Sequence, residues 1–138
     1  MLKELNRDQA QFVAMLAKAA RAQRDAFIAR VSENDLAEIK PARGEHNPTA
    51  ALGFMAFPAG ASQVATLREA IETLSSGGRS ELYALMRIGQ GDLAVQKWHR
   101  GLVEAATLGD TAVTAALIED ADLHDHLMKG LYEAKLAS

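Results

Sequence analysis

The chain has 138 residues, a net charge of −3, 49% hydrophobic residues and no cysteine. That size fits one domain, and the missing thiols exclude disulfides, cysteine nucleophiles and cysteine-ligated metal. The charge is too mild to imply nucleic acid, and no apolar run nears the ~20 residues needed to span a bilayer.

Aromatics make up only 5% of the chain and prolines number three, so the expected core is aliphatic and helical. Met1-Leu-Lys-Glu-Leu-Asn-Arg-Asp8 is charged and lacks the apolar stretch of a secretory signal. The expected compartment is cytoplasmic.

Asn6 or Asp8 can cap a long first helix running to about Val31. Leu5, Phe12, Leu16, Ala20, Phe27 and Val31 trace its apolar stripe, and alanines at 10, 14, 17, 19, 22, 26 and 29 permit close helix approach. A helix of about twice the usual length either crosses the whole domain or outruns it, and its stripe then needs a partner. Ser32-Glu-Asn-Asp35 reads as a break, with a short continuation over Leu36–Ile39. Lys40–Pro48 is a loop punctuated by two prolines and a glycine. Phe54, Met55 and Phe57 are too apolar for a free linker. They form either a lid on the core or an exposed patch for a partner.

Val64, Leu67, Ile71 and Leu74 mark the next helix. Ser75-Ser-Gly-Gly78 is expected to stop it, with a glycine as left-handed cap. Glu81 to Trp98 then reads as helix, glycine turn, helix. Leu82, Leu85 and Met86 share one face, Gly89 and Gly91 supply positive φ, and Asp92 caps a second helix bearing Val95, Trp98 and Leu102. Trp98 is the expected core anchor. Gly109 ends that helix near Leu108. A short helix over Thr111–Glu119 turns Val113, Ala116 and Leu117 inward. A last helix, re-capped at Asp120-Ala-Asp122 and running to Lys135, turns in Leu123, Leu127, Leu131 and Ala134.

Candidate chemistry is sparse. His124 and His126 lie two residues apart, roughly 200° around a helix, and cannot grip one metal together. Asp120 lies four residues before His124 and could form half of a metal or acid–base site, which would need further ligands. His99 lacks a nominated nucleophile and orienting acid. Gly89-Gln-Gly-Asp92 has neither the strand nor the lysine of a phosphate loop, and too few carboxylates for calcium. Gln96, Lys97 and Arg100 only weakly imitate a DNA-reading helix. From Glu104 onward seven acidic residues face two basic ones, which argues against nucleic acid.

Thr66–Leu74, Glu81–Met86, Gly89-Gln-Gly-Asp92 and Trp98 together resemble a bacterial family of uncharacterised proteins, domain of unknown function 3775. The likeness spans roughly residues 62 to 135 and extends to Leu117, Leu123, Leu127, Gly130 and Leu131. Arg87 stands where the family favours a large apolar residue. The resemblance implies a compact helical domain and transfers no catalytic residue.

The expected protein is therefore all-α, a single-domain bundle of about six helices. Residues 1–40 form the long helix and its extension, 41–61 a loop or lid, and 62–138 the helical core. The expected function is a non-enzymatic interaction domain without cofactor, forming a homodimer, with Phe12, Leu16, Phe27, Phe54, Met55 and Phe57 as interface candidates. The alternative is a small-ligand or metal-binding protein using Asp120 and His124, with His99 nearby. A weak nucleic-acid binder comes third.

Overall fold

In the run Glu81-Leu-Tyr-Ala-Leu-Met86 every residue is buried, as are Ile88 and Gly89 further along the same helix. A helix buried along so much of its length belongs at the middle of a bundle. The computed structural model describes residues 2–37 and 63–137, the side chains of Phe27 and of residues 29–37 excepted. Within them the helices are α1 (Arg7–Ala37), α2 (63–72), α3 (Ser76–Gln90), α4 (Trp98–Leu108), α5 (Asp110–Glu119) and α6 (Leu123–Ala137). No strand occurs among the described residues, and the all-α bundle stands.

α1 begins with a reciprocal cap: the Asn6 amide donates to Gln9 Oε1 at 2.9 Å and the Gln9 amide to Asn6 Oδ1 at 2.7 Å. It then runs unbroken through Ser32–Asp35, where a break was expected. Each of those polar residues costs under about 1 kcal/mol relative to alanine inside a helix, too little to end one. Of the expected stripe, Leu5 and Ala20 are buried and Leu16 packs half-buried against the core, Phe12 turns to solvent, and the side chains of Phe27 and Val31 lie outside the described residues. The rest of the buried face of α1 is Ala10, Val13, Ala14 and Ala17. Small side chains let α1 lie close against α6, and a phenylalanine there would hold the two helices apart.

The residues of α2 expected inside are inside: Leu67, Ile71 and Leu74 are buried and Val64 packs on their edge. Ser75-Ser-Gly-Gly78 does not end α2 with a left-handed glycine. It opens α3, with Ser75 as the cap whose Oγ accepts from the Gly78 amide at 3.0 Å.

Gly89 is likewise not a turn residue. It lies within α3, and a Cβ there would fall 1.9 Å from the His126 carbonyl oxygen. Gly130 of α6 meets α3 the same way, 2.2 Å from the Leu85 carbonyl oxygen. The two glycines let α3 and α6 cross almost backbone to backbone, in the most extensive helix pairing among the described residues. Gly91 alone makes the turn, at φ 85°, as the left-handed cap of α3.

Asp92 caps no helix. Its carboxylate instead accepts from Arg87 Nη1 at 2.9 Å. The chain beyond is extended at Ala94, makes a single 3-10 turn at Val95–Lys97 and only then enters α4. Trp98 consequently starts α4 half-buried, packed against the rim of the core. In α5 and α6 the expected faces hold: Val113, Leu117, Leu123, Leu127, Leu131 and Ala134 are buried, with Ala116 packed beside them.

Two polar devices tie the bundle. Glu81, 5% exposed, accepts from the backbone amides of Lys3, Glu4 and Leu5 at 2.9–3.3 Å. It thereby pins the N-terminal segment to α3 and seats Leu5 in the core. On the far side, Tyr83 Oη donates to Glu104 Oε1 at 2.7 Å, and Arg87 Nε donates to the same oxygen at 3.1 Å. Burial, then the Glu104 carboxylate, pushes the Tyr83 hydroxyl up to about 12. The Tyr83 hydrogen bond, aided by Arg87, holds Glu104 below its usual carboxylate range. This network joins α3, α4 and the turn between them.

Candidate interaction surface

α1 is the longest element among the described residues, 31 residues or about 46 Å. α6, against which it packs, has 15 residues and spans about 22 Å. The Arg21 guanidinium pairs with Asp122, just before α6 begins, so α1 continues past the start of its neighbour. Ile28, three turns beyond Ala17 on the inner face, is 58% exposed as a result. On the opposite face Phe12 is 56% and Met15 65% exposed. A helix built only to complete its own bundle has no need of large apolar groups on its outer side.

Of the expected interface residues, Phe12 is therefore on the surface and Leu16 on its margin. The Phe27 side chain and the whole of Phe54, Met55 and Phe57 lie outside the described residues. Met15 and Ile28 were missed. Both were legible as large apolar residues on α1, but neither falls on the stripe chosen from sequence.

The expected pairing of Asp120 with His124 does not form. Residues 120–122 are a turn rather than helix, so the four-residue spacing carries no meaning there. Asp120 caps the end of α5, and its carboxylate reaches His126 Nδ1 at 2.6 Å and the Gln90 amide nitrogen at 3.2 Å, while its other oxygen accepts from the Asp122 amide at 3.0 Å. His124 lies against its neighbour Asp125, 3.0 Å away. His99 is exposed on α4, remote in the chain from both. An open groove of about 320 Å³ between α1 and the start of α6 is edged by Lys18, Arg21, Asp25, His124 and Asp125, side chains of both signs. Among the described residues no group of three His, Cys, Asp or Glu side chains is placed to hold a metal ion. No single helix there is long and apolar enough to cross a membrane.

No curated protein and no solved structure matches the chain significantly. A family model does, over residues 64–136, which is just over half the chain and takes in α2 to α6 from Val64 onward. The protein belongs to that family, described as protein of unknown function (DUF3775).

Proposed function

We propose that the protein is a non-enzymatic helical interaction domain that forms a homodimer through the outer side of α1. The observation that carries this reading is the exposure of Phe12 and Met15 on a helix twice as long as the one it packs against. Burying such side chains yields about 25 cal/mol per Å², and contiguous apolar exposure commonly marks a contact site. α1 precedes the family-matched region, so the proposed contact surface lies outside that region. A second exposed apolar stripe, Met128, Tyr132 and Leu136 on α6, is flanked by Lys129, Glu133 and Lys135, which suits solvent better.

Sedimentation velocity of the full chain tests the proposal. The expected species has twice the 14.8 kDa chain mass. A monomer at every concentration removes it.

A further inference from the structure

Phe12, Met15, Ala19, Ala22 and Ala26 follow one another at spacings of three and four residues. That is the seam spacing of a two-stranded coiled coil. All are exposed except Ala19, which is half-buried, and the seam lies opposite the buried Ala10, Ala14 and Ala17. The two large residues stand at one end and the alanines at the other. Resting on the homodimer reading above, we infer that α1 pairs with α1 of a second copy in antiparallel register, centred between Ala20 and Arg21.

Two features of the helix select this arrangement. Antiparallel pairing sets Met15 against Ala26 of the second copy at each end, large against small, with Ala19 against Ala22 between them, so the two ends of the seam are equally spaced. Parallel pairing sets Phe12 on Phe12 and Met15 on Met15 at one end and alanine on alanine at the other, which splays the helices. Charge agrees. In the antiparallel register Lys18 flanks the seam opposite Asp25 of the second copy, and the two-fold axis makes that pair occur twice. Lys18 has no ion-pair partner among the described residues. Asp25 has only an exposed contact with Arg21 at 3.7 Å, while Arg21 is also engaged by Asp122. Both Lys18 and Asp25 are exposed and can reach across.

The sequence contains no cysteine, so disulfide trapping has no background. Met15→Cys mixed with Ala26→Cys is expected to give a covalent dimer under mild oxidation. Each variant alone is expected to stay monomeric on a denaturing gel, because like positions lie about 16 Å apart along the axis, beyond disulfide reach. Lys18→Asp and Asp25→Lys each set like charges together twice and are expected to weaken dimerisation by about tenfold. The double exchange Lys18→Asp/Asp25→Lys restores it. Trapping of Met15→Cys with itself means parallel pairing and overturns the register. A wild-type dimer that resists trapping in every combination pairs through another surface, which overturns the register but not the dimer. A wild-type monomer overturns both.

Discussion

Replacing Glu81 with alanine tests how the N-terminal segment is held. Its carboxylate is the acceptor for three backbone amides, of which only that of Leu5 is fully buried. In the variant the amides of Lys3 and Glu4 can turn to water, losing about 1 kcal/mol each. The Leu5 amide is stranded, at about 1–3 kcal/mol. Removing a buried charge recovers part of its desolvation cost. The expected loss is therefore about 3 kcal/mol, a large share of the 5–15 kcal/mol typical of a domain. Glu81→Gln keeps an acceptor oxygen but not the charge and should lose about half as much. Urea denaturation measures both, and amide exchange at Leu5 should accelerate in step with the lost stability. A Glu81→Ala protein within 1 kcal/mol of wild type, its Leu5 amide still protected, would refute the clamp.

Four further outcomes follow from the packing and the polar network. Gly130→Ala should lose about 3 kcal/mol or more in urea, since its Cβ would fall 2.2 Å from a backbone oxygen that cannot move without parting α3 from α6. Leu127→Ala, fully buried in the core from α6, should lose about 2–5 kcal/mol. Asp120→Ala should cost about 2 kcal/mol by leaving Gln90 and His126 without their acceptor, whereas His124→Ala should change stability by less than about 0.5 kcal/mol. The folded state holds the Tyr83 proton up to about pH 12 against 10 for a free tyrosine. Its contribution is thus whole below pH 10 and lost as pH rises from 10 to 12. Melting temperatures measured in a Tyr132→Phe background should fall across that window, and adding Tyr83→Phe should flatten the fall.

Sequence periodicity located the helices that show one face to one neighbour. Leu123, Leu127, Leu131 and Ala134 form such a stripe, and so do Leu67, Ile71 and Leu74. It failed where the cause is tertiary. Gly89 looks like punctuation, yet what requires glycine there is the backbone of a helix almost forty positions away in sequence. Glu81 looks like an ordinary surface residue of α3, because its partners are backbone amides 76–78 positions earlier and no side chain advertises them. Phe12 drew attention by its size, but the close contact of α1 with α6 needs alanine, so size assigned it to the wrong side. Asp120 and His124 were paired on helical spacing where the chain is a turn. Large apolar residues on α1 were visible as interface candidates, and the direction each one faces was set by the neighbour.

The outer side of α1 as a contact surface is tested most directly by sedimentation equilibrium on Phe12→Ser/Met15→Ser beside the wild type, with helix content followed by circular dichroism. The expected result is a wild-type dimer and a fully helical variant at the 14.8 kDa chain mass, because neither side chain belongs to the core. Identical association states for the two proteins, whether both single or both paired, would contradict it.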